Sequence, residues 1–153
     1  MRRSDREITE FNDIIDIVSR CTRIHIGISC IDVPYIVPVS FGYEVKENKL
    51  VLYFHGAQAG RKFELLEKSP VVSVSGDICH GYKELSNGGI TCLYESFMAF
   101  GTAERIYGDE AQRALDILTE HCGFAPRPCP DGVLDITAVY RITAENLTAK
   151  RSK

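Results

Sequence analysis

The segment from Leu52 to Lys62, with the sequence LYFHGAQAGRK, combines an apolar run, a glycine-rich turn and two adjacent cations. We predict that Arg61 and Lys62 lie in the first turn of a helix, directly after Gly60. Free backbone N–H groups and positive side chains in that position favour a bound anion, above all a phosphate. The alternative is a loop whose basic residues only contact water, because short motifs often occur without a ligand.

The same segment predicts a strand from Leu50 to His55 that leads into the turn. Its aromatic residues, Tyr53 and Phe54, would end that strand beside a ligand held at the turn. Histidine can donate a hydrogen bond or a proton near neutral pH. We therefore predict that His55 orients or protonates a bound substrate. The alternative is that its ring only packs against the ligand or hydrogen-bonds to it.

A preceding strand is predicted over Val33 to Tyr43, joined to the strand at Leu50 by a turn through Lys46–Lys49. Two prolines in one strand indicate a sheet edge, or a place where the backbone serves a ligand. The middle of this strand would present main-chain groups and small side chains as a ledge, which suits a planar heterocycle with polar edges. The ledge consists of Pro38, Val39, Ser40 and Phe41.

Three linked motifs, VPVSFGY, LYFHGAQAGRK and YESFMAFGTAERI, together resemble one known family. They are similar to the FMN-binding split β-barrel proteins related to pyridoxamine 5′-phosphate oxidase, and most similar to the branch associated with nitroimidazole resistance. The similarity extends from about Arg2 to about Ala149. The resemblance implies that FMN is the cofactor, bound by the ledge, by Tyr53–His55 and by Gly60–Lys62. It also assigns Ser96 to the cofactor site.

The resemblance implies an FMN-dependent oxidoreductase in which reduced flavin passes electrons to a small planar acceptor such as a nitroimidazole antibiotic. Pyridoxamine-phosphate oxidases of the full type carry an additional arginine-rich C-terminal segment, whereas this sequence finishes with ENLTAKRSK, so oxidation of vitamin B6 is only an alternative. A second alternative is a protein that binds or stores flavin or haem without turnover, because fold resemblance does not fix activity.

The resemblance also implies a homodimer with the flavin at the subunit interface. A chain of 153 residues cannot readily enclose both faces of an isoalloxazine. We therefore expect one subunit to cover the ledge of the other, and assembly and cofactor binding to be coupled.

The rest of the sequence predicts a mainly β fold, an antiparallel split β-barrel with flanking helices, because strands dominate and sequence neighbours pair as hairpins. Residues 79 to 91, rich in Gly, Ser and Asn, are predicted to form a movable loop that serves as a lid. The predicted helices are Thr9–Arg20, with Thr9 as N-cap, Arg61–Lys68 and Asp109–Cys122; the other predicted strands are Thr22–Ile31, Val71–Ser75, Tyr94–Ile106 and Val133–Ile142, followed by a charged tail.

Length and composition predict a single domain over residues 1–153, since 44% of the residues are hydrophobic and can bury a sizeable core. The net charge is -3 and the basic residues are scattered, which argues against a nucleic-acid partner. No segment is long and apolar enough to cross a membrane. The basic stretch Met1–Asp5 lacks the apolar run of a signal peptide, so we expect a cytoplasmic location.

The sequence contains six cysteines, at positions 21, 30, 79, 92, 122 and 129, with no C-x-x-C pair. This spacing predicts reduced thiols and no bound metal. Zinc would require the fold to bring Cys79 and His80 to the region 121–129, which is disfavoured because adjacent residues usually point in different directions. Cys30 continues the alternation of the isoleucines before it, so we expect it to pack in the core.

Overall fold

The computed structural model describes residues 3–130 and 132–152. After a single 3-10 turn at Ser4–Arg6, the chain forms nine strands and four helices among these residues. In chain order they are β1 (Glu7–Ile8), α1 (Phe11–Arg20), β2 (Ile24–Ile28), β3 (Tyr35–Val39), β4 (Gly42–Lys46), β5 (Lys49–Ala57), α2 (Arg61–Lys68), β6 (Val71–Glu84), β7 (Ile90–Ile106), α3 (Gly108–His121), α4 (Val133–Ile136), β8 (Thr137–Thr143) and β9 (Glu145–Arg151).

The strands form one antiparallel sheet in the order β3-β2-β6-β7-β8-β5-β4, and β9 pairs with β7 and β1. Strand β7 joins the two halves, because Glu95–Phe100 pairs with β9 whereas Ala103–Ile106 pairs with β8. At the switch, a Cβ on Gly101 would lie 2.6 Å from the carbonyl oxygen of Thr143, so only glycine fits without a shift. The predicted mainly β fold with flanking helices is confirmed, and the sheet does not close.

Two apolar clusters hold the sheet together. The larger one fills the space between α1 and the two halves of the sheet, with Ile17, Ile26 and Phe54 fully buried. The smaller one packs α3 against the outer face of β5 and β8 through Tyr53 and Val139. Strand β5 is therefore covered on both faces, which explains its continuous apolar run. Each such side chain contributes about 1.5–3 kcal/mol through burial.

The local predictions around β4, β5 and α2 are confirmed. The two strands form a hairpin whose turn residues, Glu47 and Asn48, have φ angles of 49° and 60°. Such left-handed pairs match the twist of a two-residue hairpin. Helix α2 has the predicted bounds, Arg61–Lys68. These elements depend on local turn and helix signals, which a sequence displays directly.

The single strand predicted over Val33 to Tyr43 is wrong, because the chain passes from one half of the sheet to the other at Ser40–Phe41. Phe41 is fully buried and its ring centroid lies 4.5 Å from that of His121. Burial of this ring stabilises the fold, and the backbone leaves β3 in order to place the ring in the core. The expected core position of Cys30 is also wrong: β2 ends at Ile28, and Cys30 lies half-buried beyond it.

The lid predicted for residues 79 to 91 is wrong as well. Strands β6 and β7 remain paired as far as Glu84 and Ile90, and only residues 85–89 form the turn. The strand predicted from Val133 begins instead as α4, the expected tail is β9, and the N-cap of α1 is Glu10 rather than Thr9. Pairing between distant strands overrides the composition of these segments. Within the described residues, no helix is long and apolar enough to cross a membrane.

Candidate functional site

The junction between β5 and α2 is built around Gly60, whose φ of 93° is a left-handed conformation that favours glycine. A Cβ there would meet nothing within 4 Å, so the requirement is conformational rather than steric. Among the residues that the structure describes, no side chain caps the first turn of α2. Its backbone N–H groups therefore remain available to a ligand.

Lys62 reaches back from this helix onto β5. Its ammonium donates to the carbonyl oxygen of His55 at 3.2 Å and lies 5.7 Å from the ring centroid of Phe54. Desolvation lowers the pKa of Lys62. Among the ion pairs of residues 3–130 and 132–152, none includes Lys62. A half-buried cation without a carboxylate partner is costly, and a bound anion would reduce that cost.

The side chain of Arg61 points in a different direction from that of Lys62. Its Nη2 donates to the sulfur of Cys30 at 3.2 Å, and it is likewise absent from the ion pairs of the described residues. The side chain borders a depression of about 540 Å³ between α2 and the loop after β2. A thiol sulfur is a weak acceptor. Arg61 can therefore exchange this contact for a stronger one. In the present arrangement, Arg61 and Lys62 donate to different acceptors.

His55 lies exposed near the end of β5. Neighbouring strand residues point to opposite faces, so its ring lies on the face away from Gly56. On the Gly56 side, a Cβ would lie 2.5 Å from the Nζ of Lys62. Partial desolvation, and secondarily the charge of Lys62, lower the pKa of His55. Its imidazole is therefore neutral at pH 7, when it can donate from one nitrogen and accept at the other.

Four of the sequence-predicted cofactor residues have side chains buried in the protein: Val39, and the three aromatic residues Phe41, Tyr53 and Phe54. Phe41 packs on His121, the ring centroids of Phe54 and Tyr140 are 4.9 Å apart, and the hydroxyl of Tyr53 donates to Glu44 at 2.5 Å. Only main-chain atoms of these three residues can reach a ligand without repacking. Beyond Tyr53, β5 pairs with β8 alone, which leaves one edge of its last four residues outside the sheet ladder.

The other ledge residues lie at the end of β3, which pairs only with β2. Pro38 and Ser40 are exposed, whereas Val39 is buried. The expected edge position of this strand is confirmed. The ledge is thus an open strand edge that continues through Ser40 into the crossing between the sheet halves.

Ser96 does not join these residues within one chain. It lies on β7, opposite Asp77 and Lys150, and β2 and β6 separate it from β3. By strand alternation it shares a face with Met98, which is exposed. Ser96 can therefore contribute to a site at the end of β3 only through a second copy of the chain.

Sequence reasoning passed over Glu95, the neighbour of Ser96. Its side chain is only 6% exposed and accepts hydrogen bonds from Arg20 at 2.5 Å, Arg151 at 2.5 Å and His80 at 3.0 Å. The Arg20 guanidinium first, and then Arg151 and His80, lower the pKa of Glu95 to about 2 against the opposing effect of burial. The sequence did contain an indication of this position: Glu95 precedes Phe97 by two residues, so strand alternation places both side chains on the same, buried face of β7.

The described part of the chain contains no group of three His, Cys, Asp or Glu side chains placed to hold a metal ion. The site therefore consists of an uncapped helix start, two cations without carboxylate partners, an exposed imidazole and two open strand edges. This arrangement can bind an anionic group and present main-chain hydrogen bonds to a flat ligand beside it.

Solved structures share this architecture. The chain is 27% identical to a candidate 5-nitroimidazole antibiotic resistance protein from Bacteroides thetaiotaomicron, with a TM-score of 0.81 over 94% of this chain and 85% of that chain. A flavocytochrome from Azotobacter vinelandii is 24% identical, with a TM-score of 0.77 over 100% of this chain and 72% of that chain. A FAD and heme binding protein from Mycobacterium smegmatis is 20% identical, with a TM-score of 0.80 over 97% and 74%.

At 24% and 20% identity, the last two similarities show a shared fold and nothing further. No curated protein matches the sequence at a significant level. The family model described as pyridoxamine 5′-phosphate oxidase matches residues 12–151, which is nearly the whole chain. The chain therefore belongs to the pyridoxamine 5′-phosphate oxidase family.

Proposed function

We propose that this chain is an FMN-dependent oxidoreductase that reduces a small planar acceptor, with nitroimidazoles as the first class to test. The observation that carries the proposal is the desolvated ammonium of Lys62, which has no carboxylate partner among the described residues and lies at an uncapped helix start. The 27% identity to a candidate nitroimidazole resistance protein supports the choice of acceptor. When bound, FMN supplies the electron transfer, and the protein supplies position and electrostatics.

The phosphate is assigned to the first turn of α2. The free N–H groups after Gly60 and the ammonium of Lys62 would bind its oxygens directly. Arg61 would leave its thiol partner, Cys30, and add a charge-assisted hydrogen bond of about 1.5–3 kcal/mol. The flat ring would lie along the open edges of β3 and β5, where unpaired main-chain groups can contact its polar edge.

His55 is assigned to the acceptor rather than to the cofactor phosphate. Its ring lies on the opposite face of β5 from the ammonium of Lys62, so the two groups contact different parts of a ligand that crosses the strand end. A neutral imidazole donates one hydrogen bond that orients the acceptor. In its protonated form it also provides the proton that a reduced acceptor requires.

We further propose that the protein acts as a homodimer through the outer face of β2, β3, β6 and β7. The side chains of Ile36, Met98 and Phe100 are 65%, 51% and 48% exposed on this face. Ile36 and Phe100 line a groove of about 370 Å³ together with Gly27 and Ser73. Apolar patches of this kind mark interaction surfaces. Ser96 lies on the same face of the sheet as Met98. A second copy of the chain packed on this face would bring its own Ser96 to the ledge of the first copy, which the Ser96 of the first copy does not reach.

The first test is cofactor binding. We expect purified protein to bind FMN, with its flavin absorption spectrum, and to bind riboflavin much more weakly because riboflavin lacks the phosphate. Lys62→Ala should lower FMN affinity about 10- to 150-fold, which corresponds to one lost charge-assisted hydrogen bond. The matched control is Lys68→Ala, which removes the exposed cation at the other end of α2 and should leave the affinity unchanged. Equal FMN binding by both variants would exclude the phosphate assignment.

The second test is turnover. The FMN-loaded protein is reduced chemically without oxygen and mixed in a stopped-flow instrument with a 5-nitroimidazole. We expect the flavin to be reoxidised faster than free reduced FMN under the same conditions. Stable FMN binding without accelerated reoxidation by a broad panel of planar acceptors would instead indicate a flavin-binding protein without turnover. Sedimentation showing a monomer that holds stoichiometric FMN would exclude the interface site.

A further inference from the structure

The outer parts of β6 and β7 form a two-stranded arm. Strand β2 pairs with β6 only as far as Ser75, and β9 pairs with β7 only as far as Glu95. Tyr94, opposite Cys79, still exchanges hydrogen bonds with Ser152 just after β9. From Gly81 and Leu93 outward, the two strands pair only with each other among the described residues. The arm is interrupted by a bulge at His80, next to Gly81, which has a φ of 116°. An isolated hairpin of this kind has little stability of its own in water.

Two thiols meet at this bulge. The sulfur atoms of Cys79 and Cys92 are 3.6 Å apart, although the two residues are not direct partners in the ladder. Cys79 lies opposite Tyr94, and Cys92 lies opposite Tyr82. Their side chains therefore meet on a diagonal across the bulge. A disulfide has an S–S length of about 2.05 Å, so the sulfur atoms need to approach by only about 1.5 Å.

The other four cysteines have no such arrangement. Cys21 is buried, and burial raises its pKa to about 11. The sulfur of Cys30 accepts from Arg61, and Cys122 is exposed. In residues 3–130 and 132–152, Cys79 and Cys92 are the only thiols in contact with each other. The pair is therefore specific, and Cys122 provides an exposed thiol without a thiol neighbour for comparison.

We propose that Cys79 and Cys92 form a reversible intramolecular disulfide by exchange with a low-molecular-weight disulfide such as oxidised glutathione. Cys79 is the exposed member and attacks first, as the thiolate, at one glutathione sulfur. This step breaks the glutathione S–S bond, forms a mixed disulfide and releases one glutathione thiolate. The sulfur of Cys92 then attacks that of Cys79 and releases the second glutathione. Both cysteine protons end on the two reduced glutathione molecules.

The order of attack agrees with the electrostatics of the pair. The hydrogen bond with Cys79 is the main cause that raises the pKa of Cys92, with partial desolvation second. The raised pKa favours the thiol form of Cys92, which suits the resolving position. The crosslink would join the two strands across the bulge beside His80, whose Nε2 donates a hydrogen bond to the carboxylate of Glu95. Oxidation would thus restrain the arm where its own pairing is weakest.

The test uses the full-length protein incubated with oxidised glutathione. We expect two of its six thiols to become unreactive toward a thiol-labelling reagent, and dithiothreitol to restore both. Trypsin cuts after Lys83, which places the two cysteines on different peptides. In the wild type these peptides should stay joined, with the mass lower by two hydrogen atoms. Cys122→Ser should react like the wild type, whereas Cys79→Ser and Cys92→Ser should give no joined peptides.

Three results would overturn the proposal. One is a glutathione adduct on Cys79 that persists without the internal link. Another is a crosslink between two chains on a non-reducing gel in place of the internal link. The third is oxidation of Cys122 as fast as that of Cys79. Both serine variants lie on the exposed arm, and circular dichroism can verify that their fold is unchanged.

Discussion

Replacing Glu95 with glutamine tests how strongly a buried carboxylate ties α1 to the sheet. Its pKa of about 2, against an ordinary value of 4.5, corresponds to about 3 kcal/mol at 1.36 kcal/mol per pKa unit. The side chains of Arg20, His80 and Arg151 are 37%, 46% and 48% exposed, so water screens part of this interaction. We therefore expect Glu95→Gln to reduce the free energy of unfolding by about 1–2 kcal/mol at pH 7.

Urea unfolding followed by circular dichroism measures this difference, and Glu104→Gln is the matched control. Glu104 also lies on β7 and also binds an arginine, Arg141, at 2.5 Å, but its side chain is 52% exposed. The control should lose less than about 0.5–1 kcal/mol, as exposed ion pairs do. The comparison separates the effect of burial from the effect of a lost ion pair.

The pH dependence gives an independent check. Because the folded-state pKa of Glu95 is lower than its ordinary value, its contribution is fully present above pH 4.5 and is lost as the pH falls toward about 2. Wild-type stability should decline over that window, and the Glu95→Gln variant should decline less. Equal losses in the two glutamine variants at pH 7, or an unchanged acid decline in Glu95→Gln, would refute the reasoning.

Three further variants follow from the same structure. Gly42→Ala should reduce the free energy of unfolding by about 1–3 kcal/mol, because its Cβ would lie 2.6 Å from the backbone nitrogen of Leu118; unchanged urea unfolding would contradict this packing. Gly56→Ala would place a Cβ 2.5 Å from the flexible end of Lys62, so FMN titration should show weaker binding while urea unfolding changes by less than about 0.5 kcal/mol. Since the pKa of His55 is lowered below its ordinary 6.5, proton donation predicts that flavin reoxidation accelerates as the pH falls below 6.5, and that His55→Asn abolishes this acceleration; identical pH profiles would exclude it.

The helix and turn around the candidate site that the sequence predicts correctly are those set by neighbouring residues. Gly60 and the Ser69–Pro70 pair mark both ends of α2, and the paired basic residues follow at once. The turn at Glu47–Asn48 likewise depends on four consecutive residues. Backbone conformation within such short stretches is governed by local sterics and hydrogen bonds, which the residue types alone indicate.

What the sequence did not predict depends on contacts between distant residues. The burial of Phe41 against His121 ends β3, and no local signal announces that contact. The composition of residues 79–91 resembles a loop, yet only residues 85–89 form a turn, and Gly81, with a φ of 116°, lies at a bulge within the paired arm. The contact between Cys79 and Cys92 lies across the same bulge and joins residues 13 positions apart. Contacts between residues distant in the sequence decided each of these cases.

Strand β9 gives the fold a particular order of assembly on the ribosome. It is the last strand in the sequence, and it lies between β1 and the Glu95–Phe100 part of β7. Strand β1 has no partner among the described residues until β9 has been synthesised, because Glu7 pairs with Lys150. During translation, the earlier strands can pair while this side of β7 presents an open edge, which invites pairing with other nascent chains. The edge is covered only when β9 has been synthesised and pairs with Glu95–Phe100.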